Sequence, residues 1–108
     1  MIRGELWSVA GGADASKPRP ALILQGDAFD GGKSVTVAPL TSNLVDAPLL
    51  RVRIPRSETS GLDHDSDVMV DKLTTVRRTS VGKRFGGLTS DQLVQVERAV
   101  MVFLGFAR

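Results

Sequence analysis

Cysteine is absent from the 108 residues, so neither a disulfide nor a thiolate metal site can hold this chain together. Histidine is nearly absent too. His64 stands alone, and a zinc site built on it would need several carboxylates at ligand spacing, which the sequence does not offer. We therefore expect no metal and no cofactor. Tyrosine is missing, and one tryptophan and four phenylalanines are too few rings for an aromatic-lined groove that grips proline-rich peptides. No apolar run reaches the ~18 residues of a membrane span, and Met1-Ile2-Arg3-Gly4-Glu5 opens no signal peptide. The expected location is the cytoplasm, with no membrane partner.

What is present describes one ordinary globular domain spanning residues 1–108. An apolar share of 42% with 24% charged residues is typical of such a fold. A chain of this length buries roughly 65% of the surface its unfolded form would expose. The net charge is only +2, yet its layout is uneven. Residues 58–71 carry Glu58, Asp63, Asp65, Asp67 and Asp71 and no Lys or Arg, whereas residues 72–84 carry Lys72, Arg77, Arg78, Lys83 and Arg84 and no acid. Arg51, Arg53 and Arg56 form a second basic cluster. Such clusters suit a polyanion, and equally a solvated surface.

The pattern along the chain is mainly β. Glu5 to Ala10 reads as a first strand, and the polar, glycine-rich 11–16 stretch as a surface loop leading into its hairpin partner. In Lys17-Pro18-Arg19-Pro20, two prolines confine Arg19 to an extended entry into the apolar run Ala21–Gln25, a strand buried on both faces. A guanidinium on a stiff backbone at a sheet rim suits a phosphate, and it also suits plain solvation of a strand end. Phe29 reads as an apolar plug between turns. Ser34–Leu40 and Leu49–Ile54 are further strands, the second placing Val52 and Ile54 on one face and Arg51 and Arg53 on the other. A polar loop over 56–67 precedes a short buried strand, Val68–Val70, which delivers Asp71. Leu73–Val76 is extended, Thr79–Val81 a helical turn, and Lys83–Leu88 the last strand. Thr89-Ser90-Asp91-Gln92 is a capping box that starts the one helix. Leu93, Val96, Val100, Phe103 and Leu104 form its apolar stripe, and Gly105 is its natural stop. Many short strands and one C-terminal helix predict a small, strongly twisted β-barrel.

Five pieces, in order, resemble the MazF/PemK (Kid) family of bacterial toxin endoribonucleases. They are Arg3-Gly4-Glu5-Leu6-Trp7, then Arg19-Pro20-Ala21-Leu22-Ile23-Leu24-Gln25 with Asp27 and Phe29, and Val37-Ala38-Pro39-Leu40-Thr41-Ser42. Asp71 with Thr75-Val76 and Gly82-Lys83-Arg84-Phe85-Gly86-Gly87-Leu88-Thr89 complete the set. The resemblance implies an SH3-like β-barrel with a C-terminal α-helix and a homodimer. It also implies a cognate antitoxin, and metal-independent cleavage of single-stranded RNA (messenger, transfer or ribosomal) by 2′-hydroxyl attack to give 2′,3′-cyclic phosphate and 5′-hydroxyl ends.

By the same resemblance, Arg19 meets the scissile phosphate as charge stabiliser and possible acid, and Thr41 contacts it through its hydroxyl. Asp71 or Asp14 stands where the family places a base. Lys17, Ser42, Arg51, Arg53, Lys72, Lys83 and Arg84 are the candidate RNA contacts. The chain departs from the family pattern at Lys72, Thr74, Met69 and Gly26, where the family carries Gln, Arg, Arg and Asn. Plainer readings stand beside these. Thr41-Ser42-Asn43 is also a turn sequence, and Asp71 could merely pair with Lys72, Arg77 or Arg78. His64, among acids in a loop, matches no family motif and reads as solvated. Trp7 reads as packing. The alternative function is a non-catalytic, CcdB-like toxin that poisons DNA gyrase by protein contact. It is disfavoured because the chain ends Gly105-Phe106-Ala107-Arg108 without a terminal tryptophan and retains Arg19 and Thr41.

Overall fold

In the computed structural model, which describes residues 1–10 and 17–107, seven antiparallel strands precede a single helix. The strands are β1 (Glu5–Val9), β2 (Arg19–Ile23), β3 (Ser34–Thr41), β4 (Arg51–Ile54), β5 (Ser66–Met69), β6 (Thr74–Arg77) and β7 (Val81–Gly87). The helix is α1 (Ser90–Phe103), and 3-10 turns occupy Asp27–Phe29, Val70–Lys72 and Arg78–Ser80. The sheet runs β4-β5-β3-β2-β1-β7, with β6 pairing the first half of β3 and β5 its end. Among the described residues β4 and β7 do not pair. Instead, the turn after β4 bridges them, Gly87 N–H donating to the Thr59 carbonyl at 3.0 Å. The expected mainly β architecture with a terminal helix is therefore present as a curled sheet whose edges meet through a loop.

β2 lies centrally and is buried on alternate faces, as its apolar run requires. Leu22 joins Leu6, Ala38, Leu40, Ile54, Val68 and the helix residue Val96 in one core, whereas Ala21 and Ile23 join Val35 and Val37 in another, beneath Trp7, Val9 and Val76. Trp7 is a packing residue whose Nε1 donates to Glu5 Oε1 at 3.1 Å. β2 begins two residues earlier than the apolar run suggests, because Ser8 and Val9 of β1 pair with Pro20 and Arg19. It also stops earlier, since the Gln25 side-chain oxygen takes the Thr36 N–H (3.0 Å) that a backbone carbonyl would otherwise hold.

Other boundaries move for similar local reasons. Leu49 and Leu50 lie in a turn in which the N–H groups of Leu50 and Arg51 both reach the Ala47 carbonyl at 2.9 Å. Phe29 is not a plug: the 3-10 turn that carries it turns the ring outward and leaves it exposed. α1 follows its sequence closely. Thr89 Oγ1 accepts the Gln92 N–H at 3.2 Å, and Gln92 Oε1 accepts the Thr89 N–H at 2.9 Å. At the other end Gly105 takes φ +83°, while the N–H groups of Phe106 and Gly105 satisfy the carbonyls of Met101 and Val102, a Schellman stop. No helix among the described residues is long and apolar enough to cross a membrane.

Candidate active site

Arg19 and Thr41 come together because β2 and β3 run antiparallel. Ala21 faces Pro39 across the ladder, and each candidate residue lies two positions beyond that pair toward the same end of the sheet. The period of two keeps both on one face. There they line a cleft of about 390 Å³ whose floor includes Leu40 and Leu62. Pro18 and Pro20 flank Arg19 in its wall, and Ser42 continues from Thr41. The segment joining β4 to β5 contributes Gly61, Asp63 and His64 to the lining, and β7 contributes Phe85.

Each side chain is held in a state suited to an anion. Thr41 Oγ1 accepts the Asn43 N–H at 3.1 Å, so the turn reading of Thr41-Ser42-Asn43 is correct and compatible with a contact role. One lone pair of the hydroxyl is used, and among the described residues its proton has no acceptor, so it can donate outward. Arg19 is exposed and forms no salt bridge among the described residues. Its neighbours in sequence fix its backbone: flanked by prolines, Arg19 is held extended at the start of β2.

The remaining candidates divide. Ser42 lines the cleft, and Lys17 is exposed next to its Pro18 wall. Asp14 lies outside the described residues. Asp71 does not line the cleft. It sits on the Val70–Lys72 turn, where its carboxylate accepts from Arg51 Nη1 and lies 3.7 Å from Lys72 Nζ. A base poised at the reacting phosphate is thus not what this geometry offers at Asp71. The pairing of Arg51 with Met69 across β4 and β5 brings its counter-ion from twenty residues away instead. Arg53 donates through Nε to buried Asp67 at 2.6 Å, and that bond raises the Arg53 pKa further. Arg51, Arg53 and Asp67 line a separate depression beneath residues 44–48. Lys83 is exposed on β7, and Arg84 Nε pairs with Glu5 at 2.9 Å. Burial pushes the Glu5 carboxyl up, but the Ile2 N–H, the Trp7 indole and Arg84 together outweigh it and leave Glu5 below its ordinary value.

His64 is the residue whose place the sequence did not reveal. The loop that carries it is fixed by Ser57 and Ser60, which exchange backbone-to-hydroxyl bonds of 3.0 Å in both directions. Ser66 Oγ then holds the His64 carbonyl at 2.9 Å. The route of this loop depends on contacts with β7 some twenty residues later, which no local pattern announces.

Comparison with known proteins bears on this site. The family described as PemK-like, MazF-like toxin of type II toxin–antitoxin system matches residues 2–104. The probable endoribonuclease MazF of Mycolicibacterium smegmatis is 48% identical over 108 residues, covering 99% of both chains. Endoribonuclease MazF6 of Mycobacterium tuberculosis is 29% identical over 106 residues, covering 93% of each. Among solved structures, the Mycobacterium tuberculosis toxin MazF-mt6 superposes with a TM-score of 0.80 at 24% identity, over 94% of this chain and 96% of the other. A mycobacterial endoribonuclease in complex with its cognate antitoxin reaches 0.84 at 20% identity, over 100% and 98%. These two likenesses show a shared fold.

Proposed function

Because the chain belongs to the PemK-like, MazF-like toxins of type II toxin–antitoxin systems, we propose that its cleft cuts single-stranded RNA without a metal, by attack of a 2′-hydroxyl on the neighbouring phosphodiester. The observation that carries this reading is the meeting of Arg19 and Thr41 in one cleft. The 48% identical relative is described as a probable endoribonuclease.

The cleft's chemistry follows from its donors. The Arg19 guanidinium offers planar, permanently charged N–H groups to the non-bridging oxygens, where negative charge accumulates as the phosphorane forms. Thr41 donates its free hydroxyl proton to the same group, and Ser42 can add another. Preformed donors lower the barrier because they need no reorganisation when the charge develops. The products are a 2′,3′-cyclic phosphate and a 5′-hydroxyl. Lys17 at the mouth of the cleft extends the electrostatic attraction along the RNA backbone. The same cleft, with Arg19 in its wall and Lys17 exposed beside it, suits an acidic, extended segment of a cognate antitoxin, which would inhibit by covering Arg19. A homodimer in the cytoplasm completes the proposal.

Incubating purified protein with mixed-sequence RNA in EDTA and mapping the product ends tests it. Cyclic-phosphate ends are expected. Intact RNA together with inhibition of DNA gyrase would favour the protein-contact alternative instead. Arg19→Ala, folded as wild type, should cut about 10²–10³-fold more slowly, the usual effect of losing one transition-state donor.

A further inference from the structure

Cleavage needs more than charge stabilisation. As the 2′-oxygen–phosphorus bond forms and the phosphorus–5′-oxygen bond breaks, a proton must leave the first oxygen and another must reach the second. The charged or titratable residues lining the cleft, among those described, are Arg19, Asp63 and His64. A guanidinium holds its protons too tightly to give one up near neutrality, and a carboxylate there has none to give. An imidazole is the one group of the three whose chemistry both donates and regains a proton in that range.

Resting on the nuclease reading above, we propose that His64 is the proton donor to the departing 5′-oxygen, reaching the phosphate from the β4–β5 segment that lines the same cleft as Arg19 and Thr41. The imidazolium proton passes to the 5′-oxygen as its bond to phosphorus breaks. The 2′-hydroxyl proton goes to Asp63 or to water, and solvent reprotonates His64 after release. The placement supports this role in two ways. His64 belongs both to this cleft and to the adjoining depression, with Ser42, Arg56 and Asp65, so it borders the cleft on the side where Ser42 continues from Thr41. Its carbonyl accepts from Ser66 Oγ and the next residue, Asp65, accepts the Arg56 N–H at 2.8 Å, while the His64 ring is exposed and makes no hydrogen bond among the described residues. The charged groups that line the same cleft and depression are Arg19 from β2 and Arg56, Asp63 and Asp65 from its own loop; β1 offers Ser8, β3 Thr41 and Ser42, and β7 Phe85, all uncharged.

The test compares wild type with His64→Asn on an RNA oligonucleotide cut in the end-mapping experiment, and on the same oligonucleotide with sulfur replacing the bridging 5′-oxygen. A thiolate leaves without a proton. Single-turnover rates between pH 5 and 8 should fall about 10²–10³-fold in the variant on ordinary RNA, with loss of the wild-type decline toward alkaline pH. On the sulfur substrate the two proteins should agree within about threefold. The residue is exposed and outside the core, and matching circular dichroism and melting curves check that the variant folds as wild type. A variant as fast as wild type on ordinary RNA, or an equal deficit on both substrates, overturns the role of His64 and leaves the nuclease reading standing. Wild-type protein that leaves both substrates intact overturns both.

Discussion

The side chains of Arg51 and Asp71 are only 15% and 19% exposed, and Arg51 Nε is buried with no partner of its own. A guanidinium that deep depends on its carboxylate, because removing one member of a largely buried pair strands the other in a poor solvent. Asp71→Asn is therefore expected to destabilise the protein by about 1–3 kcal/mol in urea unfolding, while the folded fraction keeps its cleavage rate within about threefold. A stable variant that has lost cleavage would return Asp71 to the chemistry. The sequence offered Lys72, Arg77 and Arg78 as partners because they are near in the chain, and of these Lys72 does lie 3.7 Å from the carboxylate. Arg51 became the partner through strand pairing, which sequence distance conceals. Arg19 shows the opposite case. Its two prolines fix its backbone locally, so its exposed pose at the strand entrance was legible from four residues.

At the scale of elements, the cleft exists because the β4–β5 segment lies against β7 with almost no space between backbones. Gly61 adopts φ +66°, and a Cβ there would stand 2.1 Å from the Phe85 carbonyl oxygen. At Gly86 a Cβ would stand 2.0 Å from the Ser60 carbonyl oxygen. Neither neighbour is a flexible side-chain end that could swing aside. Gly86→Ala should therefore force the two segments apart, lowering stability by about 3 kcal/mol in thermal or urea unfolding. It should also reduce cleavage below the melting transition, since the wall bearing His64 moves with Ser60. A variant that melts like wild type would show that the two backbones have slack. Elements governed by neighbours in sequence were readable in advance: the Thr89–Gln92 box, the Gly105 stop and the alternation through Arg51–Ile54. Phe29 was misread because its burial depended on whether a distant surface would cover it, and none does. The 56–67 loop could be recognised as polar, yet its path against β7 could not.

For the whole molecule, the helix poses a problem that a single chain leaves unsolved. Val96 is fully buried, but the apolar stripe continues beyond the edge of the core to Phe103 and Leu104, with Met101, Val102 and Phe106 alongside, all at least 44% exposed. Five large apolar side chains gathered at one end of a small domain form the kind of patch that marks an interaction surface. The proposed homodimer gives them a partner, since a second copy brings an identical apolar end and a two-fold contact is self-complementary. Replacing Met101 and Phe106 together by glutamate should leave the thermal transition of dilute protein unchanged, because neither side chain is in the core. Sedimentation velocity over a concentration series should show association weakened by at least about a hundredfold, as each buried apolar side chain is worth roughly 1.5–3 kcal/mol. Unchanged self-association would move the dimer contact elsewhere on the sheet. A pair of copies joined at this end would also tie the helix more firmly to the body, to which it is now anchored near its middle by the Arg3–Glu97 ion pair and by Val96.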